Sequence, residues 1–257
     1  MIRIRSLQEL SVVIVARNEA SGLPSLLADL TPGSWQLLEV VVVDGGSGDG
    51  TARLARLAGA RALPSEPCRG AQLAAGVAAT DGAWLLLLHA DARLPRGWQG
   101  LVSKAMERGP QRAWAFRLRV DAPGPALRLV EALVTLRSCW RRLPYGDQGL
   151  LVSRLHLQAA GGISPIPLME DLDLVLRLRR LGGIGMLPGS LRVSGRRWRR
   201  LGVLGTALAN ARLRRAWRQG TPPELLAQRY YGGSEGLSGQ GAYQKAQRRS
   251  WGSSSQP

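Results

Sequence analysis

Residues 85–91 read LLLLHAD, an apolar run with the character of a buried strand that ends abruptly in His89 and Asp91. Burying an unpaired carboxylate is expensive. Asp91 therefore calls for a metal ion or a cationic partner, and the imidazole two residues earlier is a second potential ligand. Two upstream stretches have the same form. Residues 12–16 run into Arg17, Asn18 and Glu19, and residues 40–43 run into Asp44. Three such runs predict three parallel strands that deliver their polar ends to one rim of a sheet, which is where open α/β sheets bind ligands. A carboxylate there can accept from a nucleobase N–H, and a divalent ion bridged by Asp91 can neutralise a diphosphate. One such Asp reads equally well as a loop or helix cap; three at successive strand ends favour a binding rim.

Further candidates lie downstream. Glu170 and Asp171 begin a helix, at the positive end of its dipole. Both also suit a first turn that they merely stabilise. Asp173 and Arg177 are spaced i,i+4 and predict a surface ion pair. Asp147 and Gln148 sit in a glycine-flanked turn that suits an acceptor site or a plain turn. Arg196, Arg197 and Trp198 form a basic stretch. Guanidinium forks bind phosphate bidentately, although a solvated or membrane-facing stretch has the same composition. The glycine-rich 44–51 (DGGSGDGT) lacks a dinucleotide fingerprint, because its acidic residue precedes the glycines instead of following them by ~20 residues. His156, on an apolar helix, reads as structural.

The elements that must position these groups follow from periodicity and breakers. Strands are predicted over 11–16, 37–43, 60–63, 83–89, 113–120 and 150–152, the first rich in β-branched residues. Helices are predicted from Ser21 as N-cap to Leu30, then over 51–58, 69–79, 95–107 with Pro95 in its first turn, 126–142, 153–160, 170–181, 202–218 and 222–231. Residues 126–142 and 196–218 are basic and amphipathic. From Gly232 the chain is rich in Gly, Ser and Gln and reads as a disordered tail. The expected organisation is one domain over residues 1–231, with a nucleotide-binding half at about 11–120 and an acceptor-side half at about 121–231, followed by the tail at 232–257.

Composition narrows the partners. Lys and Arg number 35 against 18 Asp and Glu, a formal charge of +17. Guanine-rich coding explains part of this, since all but Lys104 and Lys245 of the basic residues are Arg. The functional reading is an anionic partner, a phosphate-bearing small molecule or a lipid surface, with no nucleic acid expected. Cys68 and Cys139 are isolated, which gives no support to a structural zinc site and argues against a disulfide framework. The N-terminus is too short and mixed for a signal peptide, and no run reaches the ~18–20 apolar residues of a span. A cytoplasmic protein is expected, peripheral to the inner face of the membrane.

Five stretches together carry a resemblance: SVVIVARNEASGL, VVVDGGSGDGT, CRGAQLAAG, LLLLHADARLP and MEDLDLVLRLRRLG. The chain resembles the family 2 glycosyltransferases of the GT-A fold. With HAD in place of DxD, GDQG and a final RRW, it resembles a bacterial soluble subgroup of them. The resemblance implies an α/β fold, a mostly parallel sheet flanked by helices with a helical C-terminal part. It also implies transfer of a sugar from a nucleotide-sugar donor, UDP-linked, to an acceptor hydroxyl with inversion. Residue by residue, Ala16, Asn18 and Glu19 would line the uridine pocket, Asp44 would hold the base, and Arg69 and Gln72 would lie beside base and ribose. Asp91 would hold a divalent metal. His89 stands where the family has its first Asp; imidazole ligates Mn²⁺ but is a poor Mg²⁺ ligand. Asp171 is implied as the catalytic base with Glu170 beside it, and Arg197 and Trp198 as the late motif that meets diphosphate and acceptor. The acceptor is not legible; the basic segments hint at a lipid or lipid phosphate. Two other readings remain, a nucleotidyltransferase of similar fold and a non-catalytic basic module that binds RNA or lipid.

Overall fold

The computed structural model describes residues 9–30 and 37–232; the expectations for the N-terminus, for Pro32-Gly33 and for the tail lie outside them. Eight strands form one sheet in the order β3-β2-β1-β4-β7-β6-β8-β5. β1 (Leu10–Ala16), β2 (Leu37–Asp44), β3 (Arg61–Pro64) and β4 (Trp84–His89) are parallel. β7 (Leu150–Ser153) runs antiparallel to β4 and to β6 (Ala113–Asp121). β6 pairs parallel with β8 (Ile184–Ser194), and the short β5 (Ala92–Arg93) closes that edge antiparallel. The architecture is the expected α/β one, with the parallel half carrying the N-terminal motifs.

The strand period of two sorts the core. Val12, Ile14, Leu86 and Leu88 face one side, under α1 (Leu23–Asp29), α2 (Thr51–Leu57) and α4 (Trp98–Met106). Val13, Val15, Leu85 and Leu87 face the other, under α3 (Arg69–Ala78), α6 (Arg154–Ala159) and α7 (Glu170–Leu181). Continuous apolar strands are what a sheet covered on both faces requires. α3 touches the sheet closely: a Cβ at Gly76 would lie 2.3 Å from Val13 Cγ1. Beyond β6, α5 (Pro125–Arg141), α8 (Arg196–Leu201) and α9 (Val203–Arg218) share a small cluster with Leu118, Val120 and Val193. α10 (Pro223–Gly232) packs with α9 on Leu168 and Met169, just ahead of α7.

Several local expectations are corrected. Ser21 does not cap α1; Gly22 holds that position with no side-chain bond. α4 starts at Trp98, after Gly97 in the left-handed region, so Pro95 lies ahead of the helix. β8 has no counterpart in the sequence reading, because Pro188-Gly189 interrupts its pattern. The strand absorbs them where its register with β6 shifts between Ala115 and Arg117, as Pro and Gly in strands usually mark a bulge. The Asp173–Arg177 pair forms at 2.7 Å but is more than a surface contact. Arg177 also donates to the carbonyls of Ala160 and Gly162 and to Ser164 Oγ, so it fastens the loop that precedes α7.

Candidate functional site

The predicted rim exists. In the sheet register Ala16 lies opposite Asp44, and Val15 opposite His89, so β1, β2 and β4 end together. Their loops are cross-tied. Ser47 Oγ accepts from the Asn18 amide at 2.8 Å, and Asn18 Oδ1 accepts from the Gly48 amide at 3.0 Å. Thr51 Oγ1 accepts from the Glu19 amide, and Asp49 from the Ala20 amide. Asn18 adopts φ +53°, a region that Asn tolerates better than most residues. The Asp44 carboxylate accepts from the Ser47 amide and hydroxyl and is nearly buried.

Gln72 has a structural part at the rim. Its Nε2 donates to the carbonyls of Ala16 at 3.0 Å and Val43 at 2.8 Å from a buried position, a brace across two strand ends. Gln148 is likewise fully buried. It accepts from Ser138 Oγ and the Tyr145 amide and donates to the Phe116 carbonyl, which removes it from any acceptor surface. Trp198 packs on the cluster of Leu118, Val120 and Leu127 and lines none of the cavities described below.

The carboxylates of α7 sit beside the 3₁₀ turn Gly146–Gln148. Asp171 Oδ2 accepts from the Gly146 amide at 2.6 Å, and Oδ1 from the Leu172 amide at 2.7 Å. A Cβ at Gly146 would lie 2.9 Å from His89 Nε2 and 3.2 Å from Asp171 Oδ2, so strand end, turn and helix start meet closely enough that a side chain there would make those two groups give way. Met169, directly ahead of these acids, has φ +69°, which is strained for a bulky residue. Glu170 is 2% exposed. Burial, and then the Asp171 charge, push its carboxyl up to about 7 against the pull of Arg69. Asp147 keeps an accessible face, yet its carboxyl is lifted to about 6 by the desolvating walls around it and then by Asp171, opposed by Arg137. His89 is held below its usual value by burial and by the Arg69 charge, so it is neutral near pH 7.

α8–α10 close the other wall. Arg196 Nη2 pairs with Glu19 Oε1 at 2.5 Å, joining α8 to the first strand-end loop. Glu19 is still raised from its ordinary value, by burial above all, and its Oε2 is buried without a hydrogen-bond partner among the described residues, as is Arg17 Nε. Arg197 stands over the Tyr230 ring at 4.0 Å. Arg69 lies 5.4 and 5.7 Å from the rings of Tyr230 and Tyr231. Tyr145 is flanked by Arg137 at 3.8 Å and Arg214 at 5.3 Å. Cations over aromatic faces hold one another in place without losing their charge.

Two cavities result. The larger, ≈ 750 Å³, is walled by Arg17, Asn18, Glu19, Arg196, Arg197 and Arg212 with the two C-terminal tyrosines. The smaller, ≈ 150 Å³, holds Arg69, Tyr145, Asp147 and Asp171. Arg197, Leu213 and Tyr230 line both and form the partition. A third space of ≈ 30 Å³ lies behind, between His89, Gly146, Glu170 and Asp171. Chemically, the larger cavity suits an anion, and Asp171 offers a proton acceptor on the far side of Arg197.

A divalent ion has limited protein ligation. Among the described residues no three His, Cys, Asp or Glu side chains converge. His89 Nε2 lies beside Gly146, whereas the Asp91 Cα lies 3.6 Å from a Cβ placed on Gly22 and its charge reaches Glu19. Among the described residues the structure does not bring His89 and Asp91 into a larger ligand set. Arg17, Tyr145, Tyr230 and Tyr231 were outside the predicted site, and Arg196 entered it only as part of the basic stretch with Arg197 and Trp198; Arg69, which was predicted, is held against Tyr230 and Tyr231. Arg17 was signalled by its place beside Asn18 and Tyr145 by the glycine-flanked turn it opens, whereas Tyr230 and Tyr231 sit in a segment whose sequence carries no chemical pattern.

The model of the family described as glycosyl transferase family 2 matches residues 11–151. No curated protein matches the chain. Among solved structures, it is similar to glucosyl-3-phosphoglycerate synthase from Mycobacterium tuberculosis in complex with Mn²⁺, UDP and glucosyl-3-phosphoglycerate. Identity there is 22%, with a TM-score of 0.52 over 72% of this chain and 71% of that one. It is similar also to residues 1–349 of TarS from S. aureus, at 13% identity and a TM-score of 0.60, over 73% of this chain and 60% of that one. TarS in complex with UDP gives 13% and 0.59, over 72% and 60%.

Proposed function

The chain belongs to glycosyl transferase family 2, and from that premise we propose that it moves a sugar from a UDP-linked donor to an acceptor hydroxyl, with inversion at the anomeric carbon. One observation carries this reading: Arg197 and Tyr230 divide an arginine-walled cavity at the strand-end rim from a smaller one that contains Asp171. A donor diphosphate against Arg197 would present its sugar toward the Asp171 side. The complexes of the mycobacterial synthase and of TarS with UDP support the choice of nucleotide.

On this reading Ala16, Asn18, Glu19 and Asp44 receive the nucleoside, and Arg69 stands between nucleotide and acceptor sides. Arg197 receives the diphosphate. Asp91 would hold a divalent ion, which when bound would supply positive charge against the departing diphosphate. Mn²⁺ and Mg²⁺ both occur with UDP in the mycobacterial synthase.

Asp171 takes the proton of the acceptor hydroxyl as its oxygen bonds to the anomeric carbon. The bond from that carbon to the diphosphate oxygen breaks, and its electron pair leaves with UDP. The Gly146 amide keeps the Asp171 carboxylate aimed. Glu170, buried behind it, is a positioning residue and not a second base. Asp147 faces the acceptor cavity, and the arginines there suit an acceptor bearing phosphate, free or lipid-linked. Calorimetric titration with UDP, with and without Mn²⁺, and UDP release from UDP-sugars test the assignment. Metal-strengthened UDP binding is expected; a chain that binds no uridine nucleotide in either condition would overturn it.

A further inference from the structure

The helix α5 is oriented opposite to an ordinary surface helix. Its polar side chains point inward. Glu131 is buried and accepts from the Val120 amide, Arg128 donates to the carbonyls of Val120 and Ala122, and Ser138 bonds Gln148. Its solvent face carries Ala126, Leu129, Ala132, Leu133, Leu136, Cys139 and Trp140, with no charge among them. Leu129 is 62% exposed, Leu133 55%, Leu136 60% and Trp140 78%. These four recur at i, i+4, i+7 and i+11, one continuous stripe. The sequence reading of a basic amphipathic helix left open which face packs; the packing buries Leu127 and leaves the leucine stripe outside. Contiguous exposed apolar surface of this kind marks an interaction site.

The surroundings choose the occupant. Arg141 and Arg142 stand exposed at the C-terminal end of the stripe, and Arg117 and Arg119 on the adjoining β6. α9, which shares the same underlying cluster through Val203, exposes Leu204 and Leu208 beside Arg212 and Arg215. A second copy of a chain carrying +17 would bring like charges together. A bilayer with anionic headgroups instead meets the arginines with opposite charge and the leucines with acyl chains, and Trp140 has the amphipathic ring favoured at that boundary. We propose that the outer face of α5 docks the protein on an anionic lipid surface. The inner side of the same helix places Arg137 over Tyr145, which lines the Asp171 cavity. Docking therefore holds that cavity roughly one helix diameter, ~10 Å, from the lipid. The inference does not rest on the reaction assigned above.

The test uses the full chain and vesicles of phosphatidylglycerol mixed with phosphatidylcholine, against phosphatidylcholine alone, at physiological ionic strength. The wild type is expected to cosediment with the anionic vesicles and not the neutral ones. The variant L133Q/L136Q/W140Q alters only exposed side chains and should keep its melting temperature while its partition falls by about tenfold or more. In a Cys68→Ala background, an environment-sensitive label on Cys139 should shift to the blue with anionic vesicles only. Three results would overturn the proposal: vesicle binding untouched by the triple substitution, equal binding to neutral vesicles, or a solution dimer that the triple substitution dissolves.

Discussion

The Gly146 amide donates to Asp171 Oδ2 at 2.6 Å, across 25 residues of sequence. That one bond ties the turn before β7 to the first turn of α7 and gives the proposed base a fixed direction. A side chain at position 146 would press on both His89 and Asp171.

Asp171→Asn keeps the size of the side chain and removes its ability to take a proton. Transfer should fall by on the order of 10²–10⁴, while UDP affinity measured by calorimetry changes little. Normal turnover in this variant would remove Asp171 as the base; loss of UDP binding would move it to the donor side.

Gly146→Ala introduces a Cβ that presses on His89 and Asp171. Misplacing a catalytic group by about 1 Å can cost on the order of 10²-fold, so turnover should drop by roughly 10–100-fold. The shift is local, and the melting temperature should move by only a few degrees. Unaltered kinetics would show that the contact among His89, Gly146 and Asp171 does not position the base.

Glu170 predicts a pH dependence of stability. Its folded carboxyl, pushed from 4.5 up to about 7, keeps a proton that the unfolded chain has already released. Stability therefore falls as pH rises through that window, and the cost is complete above pH 7. The size of the shift corresponds to about 3 kcal/mol. Glu170→Gln removes the ionisation, so it should melt higher than the wild type at pH 8, and the difference should vanish near pH 4.5. An equal difference at both pH values would place the effect in packing instead.

On the proposed reading, in which Asp91 would hold the ion, Asp91→Ala should abolish the metal-dependent part of UDP affinity. Titration in the presence of a chelator gives the same comparison in the wild type. If chelator leaves UDP affinity unchanged, the residues 89–91 have another role.

The parallel half of the sheet and its polar rim were determined by sequence pattern alone. Continuous apolar runs, glycine turns and Asp44 and Asp91 at strand ends are local signals, and the period of two is enough to place Val12 and Val13 on opposite faces. The length of α7 was equally legible, because Glu170 and Gly182 mark its ends chemically. Tertiary packing decided the rest. Whether a polar side chain serves a ligand or the fold depends on what meets it from a distance: Gln72 braces Ala16 and Val43, Gln148 fastens Ser138 to Phe116, and Trp198 covers Val120. β8 was hidden because Pro188-Gly189 can be accommodated only once β6 supplies a register to shift against. The direction of α5 was hidden because its helical period permits either face to turn inward. The choice fell to the buried backbone of β6, whose Val120 amide needed an acceptor and found it in Glu131.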